Sequence, residues 1–134
     1  NKESYLGSYD AGYTGFGKRY SFNLLGDFEM GQFTASQFIR GEVRKHKDGC
    51  LYIGYEDSGK RNGFGIYTNI KDNKYIGIFS NDVLVDGYYS IQLDEMVNVK
   101  SYFKVKDSKK EPITIDDWNK IVKPIEELQN KFMP

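Results

Sequence analysis

The sequence predicts a mainly β protein: an elongated, twisted antiparallel sheet of repeated β-hairpins, finished by a C-terminal capping helix. Three observations predict it. The 134 residues include 11 Tyr, 9 Phe and 14 Gly, a pairing that favours strands, since aromatic rings suit a pleated surface and glycine suits tight turns. Apolar residues alternate with period two in short runs separated by clusters of Gly, Asn, Asp and Ser. Only the last segment changes to a helical period.

The clearest hairpin joins Tyr52-Ile53-Gly54-Tyr55 to Asn62-Gly63-Phe64-Gly65-Ile66-Tyr67. Tyr52, Gly54 and Glu56 fall on one face of the first strand and Leu51, Ile53 and Tyr55 on the other; Phe64, Ile66 and Thr68 alternate with Gly65, Tyr67 and Asn69 in the second. Asp57 to Gly63 collects residues that tolerate a left-handed backbone or bond their own main chain, so the turn is placed there. The same grammar recurs on both sides. Tyr75-x-Gly77-x-Phe79 follows 23 residues after Tyr52-x-Gly54, Tyr5-x-Gly7-x-Tyr9 has the same form, and Leu24-x-Gly26-x-Phe28 is a weaker copy. The closing half of the unit returns as Gly15-Phe16-Gly17, Gly63-Phe64-Gly65 and Asp86-Gly87-Tyr88, with Gly41 midway between Gly17 and Gly65. One hairpin alone is marginal, whereas a row of hairpins shares a continuous sheet and core. Gly54 and Gly77 lie inside strands, where glycine weakens pairing, so the missing side chain is expected to make room for packing, such as a slot for a neighbouring ring.

This pattern resembles the MORN repeat, a hairpin unit of the form Tyr-x-Gly-x-Phe/Trp-x-x-Gly-x-x-x-Gly-x-Gly. Tyr52, Gly54, Gly59, Gly63 and Gly65 match in register, with Glu56 where the family has an aromatic. The first unit matches at Tyr5, Gly7, Tyr9 and Gly12 and then runs one residue short to Gly15 and Gly17; the second keeps Gly26, Phe28 and Gly31 and has no closing glycine until Gly41; the fourth has Asp82 in place of a glycine. The resemblance runs from residue 5 to about residue 90. It implies a MORN-like solenoid. Association with anionic membranes is often suggested for such proteins, and similar repeats precede the catalytic domains of some lysine methyltransferases and plant phosphoinositide kinases, so an accessory region of a larger enzyme is a further alternative. Nothing in residues 91 to 134 resembles either catalytic domain.

Beyond the repeats, Val97, Val99, Ser101, Phe103 and Val105 alternate with Asn98, Lys100, Tyr102, Lys104 and Lys106, the signature of a half-buried strand. Ile91 and Leu93 are its expected hairpin partner, with Asp94-Glu95 at the turn, and Lys109 to Pro112 reads as a loop. Thr114 and Asp117 have the spacing of a helix cap, and Asp116 and Asp117 suit the positive end of a helix dipole. Trp118, Ile121, Val122, Ile125, Leu128 and Phe132 then share one helical face. Pro124 interrupts the segment and predicts a kink or two short helices meeting at Lys123 and Pro124. The organisation read from the chain is therefore a repeat sheet over residues 1–106, with a last hairpin from about 91, and a linker with helical cap over 107–134.

The 19 basic and 19 acidic residues balance, so no global charge points to nucleic acid, and none is expected as a partner. Cys50 is the only cysteine, which excludes an internal disulfide framework and the usual thiolate zinc cluster. No metal and no cofactor are expected. No apolar run has the length of a membrane span. The expected location is cytoplasmic, with membrane or cytoskeletal association as a variant; because the sequence begins at Asn1, a removed leader stays open.

No catalytic constellation emerges. His46, the only histidine, sits among Arg44, Lys45, Lys47 and Asp48 and reads as a solvated turn residue without a nucleophile to activate. Cys50 reads as a structural thiol, Asp116 and Asp117 as helix-start residues, and the Gly-Phe-Gly triplets as structural, since no helix follows them to build a phosphate site. The expected function is therefore a non-catalytic interaction or scaffold module, not an enzyme. A partner helix or extended peptide would lie in an aromatic groove built from Tyr5, Tyr9, Phe28, Tyr55, Tyr75 and Phe79. The alternative is attachment to an anionic membrane through Lys100, Tyr102, Lys104 and Lys106, although lysines on a strand also guard an exposed edge against pairing.

Overall fold

A computed structural model describes residues 3–8, 14–21, 25–92 and 99–132, with side chains over 14–21, 25–92 and 99–128. The strands are β1 (Glu3–Ser8), β2 (Thr14–Ser21), β3 (Phe28–Thr34), β4 (Gln37–Lys47), β5 (Cys50–Asp57), β6 (Lys60–Thr68), β7 (Lys74–Ser80), β8 (Val83–Gln92), β9 (Lys100–Lys106) and β10 (Lys109–Ile113), followed by helix α1 (Ile115–Phe132). All ten form one antiparallel sheet in which each strand lies beside its sequence neighbours, from β1 at one edge to β10 at the other. The mainly β fold of hairpins with a single C-terminal helix is the one the sequence predicts.

The turns explain how the chain folds back so often. Ala35-Ser36, Asn81-Asp82 and Asp107-Ser108 have positive φ at both positions, and Asp48-Gly49 and Ser58-Gly59 do the same with glycine second. Positive φ at both central residues is the two-residue hairpin turn whose twist matches that of the strands. The turn expected over Asp57 to Gly63 is thus shorter than the sequence indicated. Only Ser58 and Gly59 turn, while Lys60 to Gly63 belong to β6. Likewise Lys109 to Pro112, expected as a loop, forms most of β10 and pairs with β9, because Asp107-Ser108 supplies the turn just before it. The expected partner of β9 is correct at Ile91, which faces Ser101. Leu93, Asp94, Glu95 and Val97 lie outside the described residues, as do Tyr9, Gly12 and Leu24.

Register divides the sheet into two faces. Tyr52, Tyr67, Tyr75, Tyr89 and Phe103 are successive cross-strand partners, and so, one residue along, are Ile53, Ile66, Ile76 and Tyr88. Since neighbouring residues of a strand point to opposite sides, the tyrosine row and the isoleucine row occupy different faces. Helix α1 lies on the isoleucine side. Trp118 and Val122, 7% and 0% exposed, pack with Ile66 and Ile76, and Tyr88, Tyr102, Ile113 and Ile125 close around them. Burying each of these large apolar side chains is worth about 1.5–3 kcal/mol, which anchors the helix across the C-terminal half of the sheet.

Thr114 caps α1, its hydroxyl accepting the Asp117 N–H at 3.1 Å, as the sequence indicated. The helix continues through Pro124 from Ile115 to Phe132, so two short helices are not formed; tertiary packing of Val122 and Ile125 on the sheet outweighs the lost hydrogen bond. Of the expected stripe, Ile121 and Leu128 are exposed.

The tyrosine face has no covering layer among the described residues, yet it holds its own core of Val43, Tyr52 and Phe79, flanked by Phe38, Tyr67, Tyr75 and Leu84. Paired glycines allow this. Gly31 faces Gly41, Gly54 faces Gly65 and Gly77 faces Gly87, leaving a strip without side chains onto which neighbouring rings can lie down. A Cβ on Gly65 would stand 2.4 Å from the Tyr52 hydroxyl oxygen. The ring slot expected at Gly54 is thus made chiefly by its partner Gly65; at Gly54 a Cβ would first meet the Gly65 Cα at 2.4 Å and the Phe64 carbonyl oxygen at 2.6 Å, then the Tyr52 hydroxyl at 2.8 Å. At Gly77 the reason is different: its φ is +141° and a Cβ would meet the Asp86 carbonyl oxygen at 2.1 Å. Two backbones approach closely at that point, beside the register shift between Ile78 and Phe79.

Candidate functional site: an aromatic trough on the uncovered face

Along the tyrosine face the side chains change character from one end of the sheet to the other. The β2–β5 part is an ion-pair chain. Arg19 Nε donates to Glu29 Oε1 at 2.9 Å, Lys45 Nζ stands 3.0 Å from Glu29 Oε2 and donates to Glu56 Oε1 at 2.7 Å. Burial would lower the Lys45 ammonium pKa, but the bond and charge of Glu56, with those of Glu29, outweigh it and hold it above its ordinary value.

From β6 to β9 the row is aromatic. Tyr67 and Tyr75 lie 6.0 Å apart at 37°, Tyr75 and Tyr89 5.6 Å apart at 13°, and Tyr89 and Phe103 4.9 Å apart at 15°. Strands spaced about 4.8 Å apart set this separation, so Tyr75, Tyr89 and Phe103 stack face to face while Tyr67 lies tilted against Tyr75. The ring edges therefore turn away from the sheet. Tyr52 stands edge-on to Phe79, with centroids 5.8 Å apart, and its hydroxyl donates to the Tyr55 carbonyl at 2.7 Å. Burial, then the charge of Glu56, pushes the Tyr52 hydroxyl well above its ordinary pKa. Tyr89 is raised too, by burial and by Tyr75.

Between the tyrosine row and Phe79 and Leu84 lies a groove of ≈ 460 Å³. Arg61 stands at one end, its guanidinium carbon 4.1 Å from the Tyr67 ring centre, and Lys110 at the other, its Nζ 5.8 Å from that of Tyr89. Asp82 is the carboxylate of the lining. It accepts the Arg61 backbone N–H at 2.8 Å, and its carbonyl accepts Arg61 Nη2 at 3.0 Å. Arg61 Nε lies 3.5 Å from Asp82 Oδ1 and is buried without a hydrogen-bond partner.

The residues expected to build one groove are divided. Tyr75 and Phe79 line the trough. Phe28, paired with Arg44, and Tyr55, paired with Glu42, belong to the opposite face. Tyr5 pairs with Arg19 in β1, and Tyr9 lies outside the described residues. Lys100, Tyr102, Lys104 and Lys106 do share one face, but it is the helix-bearing one. Tyr102 packs on Trp118 with centroids 5.0 Å apart, and Lys100 Nζ is 3.2 Å from Asp72 Oδ2. Lys104 is half-buried and Lys106 exposed.

Sequence reasoning missed Arg61, Tyr67, Tyr89 and Lys110 as members of the trough. Tyr67 was legible, since it alternates with Phe64 and Ile66; the other three depend on which strands become neighbours.

His46 is also not where it was expected. It lies in β4, its Nδ1 is 2.7 Å from Asp27 Oδ1, and its backbone N–H donates to Asp27 Oδ2 at 2.8 Å. Asp27 is only 6% exposed. The corresponding place two hairpins on is held by Asn73, which accepts the Gln92 N–H at 3.0 Å. Both are side-chain clamps on a strand end, and the sequence concealed them because the partners are far apart in the chain.

Among the described residues no group of His, Cys, Asp and Glu is arranged to hold a metal ion, and no helix is long and apolar enough to cross a membrane. Compared with known proteins, the chain matches no family model and no curated protein.

Proposed function

We propose that the chain is a MORN-like hairpin-repeat module, non-catalytic, that holds a segment of a partner protein in the trough between the tyrosine row and Phe79 and Leu84. The observation that carries this reading is the asymmetry of the sheet. Helix α1 covers one face of β6–β10, while the other, over the same strands, presents a groove with aromatic walls and no covering element among the described residues. Grooves of this kind receive the side chains of a helix or extended peptide, with a few aromatic residues carrying most of the binding energy. The stacked rings favour a protein partner over sugars or nucleotides, because those ligands stack on open ring faces and the faces of this row are taken up by one another.

Selection of short random peptides displayed against the intact chain tests the reading. Val83, 58% exposed at the groove rim, and Phe16, 74% exposed on the helix-bearing side, provide the two arms. Enriched peptides should lose binding to Val83→Glu and keep it with Phe16→Ser. Peptides indifferent to Val83→Glu, or no enrichment at all, would refute it.

A further inference from the structure

We infer that the partner segment is acidic as well as apolar: an aromatic or branched aliphatic side chain set against Phe79 and Leu84, with carboxylates reaching toward Arg61 and Lys110. This rests on the reading of the trough as a docking surface and adds the chemistry of the occupant.

The groove is lined by two cations and one carboxylate. Asp82 is committed to Arg61, through its carboxylate to the Arg61 N–H and through its carbonyl to Nη2. The guanidinium still has a donor without an acceptor, Nε, in a place shielded from water. Lys110 has no carboxylate partner among the described residues and leans over the Tyr89 ring. A buried donor without an acceptor is unfavourable. An incoming carboxylate that draws the Arg61 side chain into a full bond relieves this cost.

The ion-pair chain of the neighbouring strands shows the contrast. There Arg19 and Lys45 meet Glu29 and Glu56 within the chain itself. In the aromatic part Lys110 meets no such carboxylate among the described residues.

Arg61 and Lys110 belong to β6 and β10, four inter-strand steps apart, or about 19 Å at the usual spacing. An extended segment crossing the strands spans that distance in roughly six residues. The preferred occupant thus has acidic residues flanking an apolar centre.

The test uses the tightest-binding selected peptide, a second form with every Asp and Glu replaced by Asn and Gln, and a third with Lys at those positions. Titration against the intact wild-type chain and Lys110→Glu, a change at an exposed position, reads the answer. The acidic form should bind wild type about tenfold or more tightly than the amide form, and Lys110→Glu should prefer the lysine form over the acidic one. Amide and acidic forms binding within about twofold of each other, both still lost on Val83→Glu, would overturn the inference and leave the docking trough standing. If no peptide responds to Val83→Glu, the docking reading fails and takes this inference with it.

Discussion

The two faces of the sheet solve the same problem in different ways. On one, Ile66, Ile76 and Tyr88 are ordinary strand residues that need a cover, and α1 supplies it through Trp118 and Val122. On the other, Tyr52, Tyr67, Tyr75 and Phe79 cover the backbone themselves, lying over or beside a strip of paired glycines. A cover supplied by a helix leaves no surface to offer. A cover supplied by the sheet's own rings leaves their edges free, and a partner can add to it. The lesson is that glycine in a strand interior, normally a weakness, here replaces a second structural layer.

The largest effect should come from removing the helix anchor. Trp118→Ala is expected to cost about 3–5 kcal/mol, read as a lower urea midpoint, while short peptides at the trough of the still-folded fraction bind unchanged. An equal loss of peptide binding would mean the faces are not independent.

Relieving the helix interior sharpens the comparison in the opposite sense. Pro124 is exposed and removes a hydrogen bond from α1, so Pro124→Ala should raise stability by about 1–3 kcal/mol, measured by the same denaturation. No gain would show that the helix contributes little to the anchoring of that face.

On the tyrosine side, Tyr52→Phe removes the bond to the Tyr55 carbonyl and should cost about 1 kcal/mol at neutral pH. Its pH dependence is more informative. The Tyr52 hydroxyl is raised above 10.0 and the Lys45 ammonium above 10.5. Between its ordinary and its folded pKa each group keeps a proton that the unfolded chain has lost, so stability is fully present below pH 10.0 and falls as pH rises beyond it. Tyr52→Phe should flatten part of this alkaline decline in thermal melts. An unchanged slope would place the hydroxyl in water.

The smallest effect is expected at Lys110→Ala. Its side chain is exposed and outside any ion pair among the described residues, so stability should stay within about 0.5 kcal/mol. A larger loss would assign Lys110 a structural role.

How much of this was legible in the sequence follows from the range of each interaction. Period-two alternation around Tyr52 and Phe64, the helical stripe from Trp118 and the cap at Thr114 are local, and the sheet, the helix and its start were read from them. The turn at Asp107-Ser108 was not, because neither residue is glycine and both must take positive φ. That omission turned β10 into an expected loop. The trough depended on more distant facts. Tyr75 and Phe79 were identified from their repeat, each two residues from Gly77, but Phe28 and Tyr55 stand an odd number of residues from the paired glycines Gly31 and Gly54, so alternation turns them to the other face. Arg61 and Lys110 reach the groove only once β6 and β10 are placed on either side of β7–β9, and no spacing in the chain announces it.

The most direct test of the account is comparison of one selected peptide against Val83→Glu at the groove rim and Phe16→Ser away from the groove, two exposed substitutions in a sheet that should tolerate both. Affinity reduced about tenfold or more by Val83→Glu and unchanged by Phe16→Ser is the predicted result. The reverse order, or equal losses at the two sites, would contradict the claim that the tyrosine face is the one built to receive a partner.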